Sequence, residues 1–241
     1  MTSVAAPPPT VSDVAERLRA VLVPLDRDDG VACFARLYLA VTEQVQAELA
    51  VTFADPGFLT DLDVRFAELF FAAMEDRGRP AAWEPLFEAR HRKGIAPIQF
   101  ALAGMNAHIN RDLPVAIVAS CERAGIQPED ATPQHADYRR VNTVLADVEL
   151  ALKKQYVGGV LGVLAKLLHR VRRLDDTIAM WDVVKAREAA WTNAEVLWSL
   201  RDAPVLYGRY LETLDRSVGL AGRGLLVPAD SWPARLVRAV T

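Results

Sequence analysis

The stretch IAPIQFALAGMNAHINRDLPVAIVASCERAG, residues 95–125, decides the fold. From Ile98 to Ile109 it is apolar nearly all round, the pattern of a helix at the centre of a bundle and not on its surface. Pro97 suits the first turn of that helix, where a missing amide costs no hydrogen bond. Pro114 stands inside the run, and its ring and absent N–H predict a kink or split after Asp112. The small residues Ala101 and Gly104 let a neighbouring helix or a ligand approach closely.

Outward from this segment the 3.6-residue period persists, and no alternating run or hairpin dipeptide suggests a sheet. Thr10 and Asp13 have capping-box spacing for a first helix ending near Pro24, and the LDRDDG loop stops the chain. Gly30 leads into a long amphipathic helix through Phe34, Leu37, Tyr38, Val41, Val45 and Leu49, broken by FADPGF. A third helix is expected over about 58–76, ended by Gly78 and Pro80, then a short segment over 83–92. Beyond the IQPEDATPQ loop, a helix over about 134–156 precedes a bend at Gly158, Gly159 and Gly162. Asp175 or Asp176 is read as the cap of a helix reaching Trp198. Pro204 begins another, which is expected to fade at GLAGRG before a tail holding Trp232. The expected fold is all-α, a single-domain bundle of about eight helices around a central buried helix, with residues 1–10 a disordered N-terminus and 11–241 the domain.

The chain of 241 residues is 51% hydrophobic and carries a formal net charge of −3, enough apolar content for a sizeable core. No global basic field exists to hold nucleic acid or an anionic membrane, so neither is expected as a partner. Cys33 and Cys121 are far apart in apolar helical contexts and read as buried thiols. The N-terminus MTSVAAPPPT lacks a secretion signal, and no apolar run approaches the ~20 residues that span a bilayer. A cytoplasmic location is the expectation. No P-loop, dinucleotide fingerprint, HExxH, GxSxG or CxxC occurs, so the chemistry tied to those motifs is a poor fit.

Polar residues on apolar faces supply the site candidates. Asp63 shares a helical stripe with Phe66, Ala67, Phe70 and Met74, whereas Asp61 aligns with Arg65 and Glu68 on a polar face. A carboxylate in an aromatic stripe needs a partner or a proton; the plain alternative is that helix-start amides satisfy it. His108 and Asp112 stand at i and i+4, a spacing suited to an oriented general base or to two metal ligands. Asn106 and Asn110 form a second such pair, suited to holding a carboxylate, an amide or water, or to fixing helix packing. Further along, Arg187 lies on a stripe with Val184, Trp191, Trp198 and Glu195, and needs an anion or a stacking surface. Asn142 and Glu149 flank another apolar line. His91, His135 and His169 stand among charged or loop residues and read as solvated, and HRVRR is a modest basic stripe.

The segments FALAGMNAHINRDLP, DYRRVNTVLADVE, AREAAWTNAEVLW and LDRSVGLAGRGLLVP together resemble an uncharacterised bacterial all-helical family of unknown function, over most of the chain from about Asp26. The resemblance brings Asn106, His108, Asn110, Asp112, Arg187, Trp191, Asn193 and Glu195 forward as motif positions without roles. It also implies small-molecule chemistry, since some relatives accompany specialised-metabolite pathways.

The functional expectation is an enzyme without an organic cofactor that acts on an anionic small molecule by acid/base and electrostatic catalysis. Asp63, His108 and Asp112 would be catalytic, and Asn106, Asn110, Arg187, Trp191 and Glu195 would bind substrate. Phe66, Phe70 and Trp191 would exclude water, and ring closure by intramolecular displacement or elimination would suit such a site. Two other readings stay open: a metal-dependent hydrolase with His108 and Asp112 as ligands beside Asp63 and Glu149, and a non-catalytic binding or assembly module. A homo-oligomer or a partner protein also remains open. The geometric expectation is that His108, Asp112, Arg187 and at least one of Asp63, Glu149 and Glu195 meet at one interior cavity.

Overall fold

The computed structural model describes residues 9–76, 78–143, 145 and 182–228, and among these every regular element is helical. Helix α1 (Val11–Leu22) opens on the expected capping box, in which Thr10 Oγ1 accepts from Asp13 N at 3.3 Å and Asp13 Oδ2 accepts from Thr10 N at 2.6 Å. Helix α2 (Gly30–Thr52) starts at Asp29, whose Oδ1 accepts from Val31 N and whose Oδ2 takes Arg90 Nη2 at 2.6 Å. Asp55 caps α3 (Pro56–Met74), and α4 (Glu84–Ala89) is a single short run. Each cap satisfies an amide that the first helical turn would otherwise orphan.

Helix α5 (Pro97–Ala107) is the central one. Phe100, Ala101, Leu102, Ala103 and Ala107 are all buried, with α2 packed on one side and α9 (Pro204–Leu225) on the other. Gly104 makes the α2 approach possible: a Cβ there would stand 2.3 Å from the Phe34 ring. After Ala107 the backbone widens into a π-helical turn, His108–Asp112, closed by Leu113 N donating to His108 O. Helix α6 (Leu113–Ala124) then restarts with Pro114 in its first turn and ends on left-handed Gly125. The split expected at Pro114 thus takes the form of a π turn, which frees the carbonyls that a proline ring would obstruct.

Residues 133–143 form α7, followed in the described chain by α8 (Val183–Ser199), capped by Asp182 through Lys185 N. Helix α9 does not fade at GLAGRG but runs through it to Leu225. Its glycines are contact points: a Cβ on Gly219 would lie 2.6 Å from the Ala81 carbonyl oxygen, so close packing outweighs glycine's poor helix propensity. The rest of the helix expected over about 134–156, the expected bend at Gly158, Gly159 and Gly162, HRVRR with His169, Glu149, Asp175, Asp176 and Trp232 lie outside the described residues.

Buried side chains gather in two clusters. One joins α1, α2, α3, α4, α5 and α9 around Phe34, Phe70, Trp83 and Leu86; the other joins α2, α3, α6, α7 and α8 around Ile117, Tyr138, Trp191 and Leu197. Among the described residues no helix is long and apolar enough to cross a membrane.

Candidate functional site

A cavity of about 110 Å³ lies where the two clusters meet, walled by α2, α3, the π turn, α7 and α8. Most of its wall is aliphatic or aromatic, with Val41 and Val45 from α2, Leu59 and Leu62 from α3, and Leu145 and Val183 from the far side. Among the described residues four polar ones interrupt it: Tyr38, Asp63, His108 and Arg187. For three of them, Tyr38 Oη, Asp63 Oδ2 and His108 Nε2, the polar atom is out of contact with solvent and has no hydrogen-bond partner among the described residues. A buried polar atom without a partner carries a desolvation cost of about 1–3 kcal/mol, so three such atoms at one cavity are an unusual concentration.

His108 is held from behind. Its Nδ1 lies 3.1 Å from Asp112 Oδ2, and the same oxygen accepts from Trp83 Nε1 at 2.9 Å. Asp112 Oδ1 accepts from Arg111 Nη1 at 2.9 Å. With its other neighbours all donors, Asp112 is an acceptor throughout, so Nδ1 carries the proton and Nε2 is left as a buried bare lone pair. The imidazole is stacked on Phe66 at 3.5 Å between centroids and 7° between planes, and the Tyr38 ring meets it at 4.6 Å. Burial pulls its pKa down against the opposing pull of the Asp112 hydrogen bond, which keeps the ring neutral. The i, i+4 spacing therefore yields an oriented base, with Asp112 behind it and not itself in the cavity wall.

Asp63 stands on α3 one turn before Phe66. Burial alone pushes its carboxyl up to about 7, because no cation beside it offsets the loss of water. Tyr38 is raised well above its ordinary value by burial first, then by Asp63 and Asp112, and so remains a phenol donor. Arg187 comes from α8 and is buried. Its Nε donates to Asn142 Oδ1 at 2.7 Å, its Nη2 donates to the Tyr138 carbonyl at 2.8 Å, and its guanidinium sits 4.1 Å over the Tyr138 ring. Among the described residues no carboxylate lies within ion-pair distance of it, and burial pulls its pKa down. A buried cation supported only by neutral acceptors is an anion site in waiting.

His108, Arg187 and Asp63 thus reach one cavity, with Asp112 behind His108. Other sequence candidates go elsewhere. Asn106 Nδ2 donates to the Val218 carbonyl of α9 and its Oδ1 accepts from Asn110, so this pair ties α5 and the π turn to α9. Trp191 is buried against His135 at 4.5 Å and Tyr138 at 4.9 Å, outside the cavity wall, so it takes no part in the expected water-excluding surface. Glu195 is also outside the wall; burial raises its pKa, with Asp130 adding to the rise and His135 opposing it. His135 is not solvated as its charged context suggested: the fold stacks it beneath Trp191, with Nδ1 3.1 Å from Asp130. Tyr38 is the cavity residue that the sequence reading missed as a polar group, since a tyrosine in an amphipathic stripe reads as core.

For a metal, the His108 and Asp112 pair presents one ligand atom and not two, because both carboxylate oxygens are engaged by N–H donors. Among the described residues no three His, Cys, Asp or Glu side chains are grouped so as to hold an ion. In comparison with known proteins, a family model described as a family of unknown function (DUF5995) matches residues 11–228. No curated protein and no solved structure matches the chain.

Proposed function

The chain belongs to this family of unknown function (DUF5995), and from the geometry of its core we propose that it is an enzyme acting on a small anionic molecule by acid/base chemistry. The observation that carries the reading is that Tyr38, Asp63 and His108, from three separate elements and each with a buried polar atom unpartnered among the described residues, line one cavity together with Arg187. A packed structural network would pair these atoms with one another, and a plain assembly module has no use for leaving them open.

The roles follow from protonation state. His108 Nε2 is the base, oriented by Asp112, which Trp83 and Arg111 hold in place. Asp63, raised to about 7, can supply a proton near neutrality, and Tyr38 donates a hydrogen bond to an oxygen that gains charge. In an elimination, Nε2 takes a proton from the carbon beside the one bearing a hydroxyl. The C–H electron pair becomes the double bond, the C–O bond breaks, and Asp63 protonates the departing oxygen as water. In ring closure, Nε2 takes a hydroxyl proton, the freed oxygen bonds the carbon bearing the leaving group, and Asp63 protonates that group. Either course leaves an imidazolium and a carboxylate in the cavity, and one proton passed between them through solvent restores the start. We place this chemistry in specialised metabolism on the resemblance of the motif segments.

The test is a panel of hydroxy- and oxo-carboxylates incubated with the protein in D₂O and followed by mass spectrometry. The expected result is loss of water, isomerisation or solvent-deuterium uptake in at least one member, abolished in His108→Gln and Asp63→Asn. A folded wild-type protein that changes no member of the panel defeats the reading.

A further inference from the structure

Asp112 is fully buried, and the two N–H groups that fix it from outside the His108 pair come from Trp83 and Arg111. Both lead back to one carboxylate, Asp215 of α9. Asp215 Oδ2 accepts from Ala81 N and its Oδ1 from Ala82 N, each at 2.9 Å. These amides belong to the turn that delivers Trp83, and among the described residues no side chain caps α4 at Trp83. Gly219, one turn further along α9, packs on the same turn, so α9 grips it at two points. From this turn the Trp83 indole enters the core fully buried, with Nε1 2.9 Å from Asp112 Oδ2. The second connection is ionic. Arg111 Nε lies 3.7 Å from Asp215 Oδ1 while Nη1 donates to Asp112 Oδ1 at 2.9 Å, so one guanidinium stands between two carboxylates.

We infer that Asp215 is a positioning residue of the His108 site: through the Ala81 and Ala82 turn and through Arg111 it sets both donors that hold Asp112, and Asp112 holds the imidazole. A carboxylate whose oxygens are met by donors from two different elements cannot rotate without breaking one of the bonds, so Oδ2 stays in line with His108 Nδ1. Without the grip on the turn, the indole N–H is free to withdraw. Without the charge beside Arg111, the guanidinium turns wholly to Asp112 and competes with Nδ1 for its lone pairs. A carboxylate closing on two consecutive amides is by itself only a brace, and Asp137 is such a case: buried, it accepts from Ala54 N at 3.1 Å and from Asp55 N at 2.7 Å between α2 and α3. What sets Asp215 apart is that its turn and its ion pair both end at Asp112. The inference rests on the active-site reading only in calling His108 a base.

Proton NMR of the full chain tests it. The His108 Nδ1–H, buried and held on a carboxylate, is expected as a low-field resonance in slow exchange with water, identified by its absence in His108→Gln. The Trp83 indole N–H is identified by its absence in Trp83→Phe. Asp215→Asn offers one acceptor oxygen to two amides and no charge to Arg111. In it both resonances are expected to move upfield and exchange at least about tenfold faster, while Asp137→Asn leaves both in place. On any compound that the wild-type protein turns over, Asp215→Asn is expected to lower kcat and leave KM unchanged. Unmoved resonances in a folded Asp215→Asn overturn the inference, as do equal shifts in Asp137→Asn, which would mark a general loosening of the fold. Should Asp215→Asn not fold, the wild-type protein decides. Its Ala81 and Ala82 amides and Trp83 indole are expected to share one degree of protection from exchange, because one carboxylate holds them, and amides protected at least about tenfold less than the indole overturn it. Moved resonances in a protein that changes no panel compound would sink the enzyme reading and spare this inference; a fully active Asp215→Asn with unmoved resonances would do the reverse.

Discussion

Asp63 is where the chemistry of the site can be read as stability. Its proton is bound more tightly in the folded chain than in the unfolded one, with the carboxyl raised from 3.8 to about 7. The stability linked to this group is therefore full below pH 3.8 and is lost as pH rises through about 7. Asparagine keeps the shape and stays neutral. Asp63→Asn is accordingly expected to raise the unfolding free energy at pH 8 by about 1–3 kcal/mol, with the gain vanishing near pH 4; urea melts at the two pH values measure it. An equal effect at both would show that Asp63 is not buried as a charge. His108 works in the opposite sense, since its lowered pKa means that the unfolded chain takes the proton first as pH falls. At this scale the sequence was informative where spacing is local. The His108 and Asp112 pair and the Asp63 stripe follow from positions three or four apart on a helix. Tyr38 was not legible, because nothing in an amphipathic stripe distinguishes a phenol with a partner from one without. The Asn106 and Asn110 pair was legible as a pair, but its anchor, the Val218 carbonyl, is 112 residues away in the chain.

The elements succeed where local signals agree and depart from expectation where tertiary contact wins. The cap at Thr10 and the prolines in the first turns of α5 and α9 mark helix starts that the sequence alone identifies, whereas the Asp29 and Asp55 caps stand in stretches read only as breaks. The continuation of α9 through GLAGRG does not follow from propensity; it follows from the Ala81 backbone, which no local pattern announces. Gly219→Ala would set a Cβ 2.6 Å from a carbonyl oxygen that cannot rotate away, and Gly104→Ala would set one 2.3 Å from the Phe34 ring. Each is expected to destabilise the fold by about 1–3 kcal/mol despite alanine's better helix propensity. Gly208→Ala, with nothing within 4 Å of the new Cβ, should stabilise or leave the protein unchanged. Thermal melts of the three variants decide the matter: if all three gain stability, these close approaches are not constraints. Because Gly104 sits just before the π turn, its substitution should also shift His108, detectable as a change in the His108 imidazole NMR resonances.

At the scale of the molecule, the all-helical class was legible because every stretch from α1 to α9 repeats at one period, whereas the meeting of two core clusters is a property of the packed chain alone. The cavity is the consequence of that meeting. Helix α2 crosses the boundary, giving Phe34 and Tyr38 to one cluster and Val45 to the other, and the clusters fail to close around its middle. An unfilled apolar volume forfeits dispersion contacts, so a bundle selected for stability alone would fill it. Val45 is the position from which to do so, since it is nearly buried and lies away from Tyr38 and His108. Val45→Phe adds apolar bulk into existing space and is expected to raise stability by roughly 1–2 kcal/mol, while lowering at least about tenfold the turnover of any panel compound that the wild-type protein changes. The two effects must appear together, because they have one cause. A variant that gains stability and keeps the wild-type turnover would show that the reaction takes place elsewhere, and one that loses stability would show that the space beside Val45 is already filled.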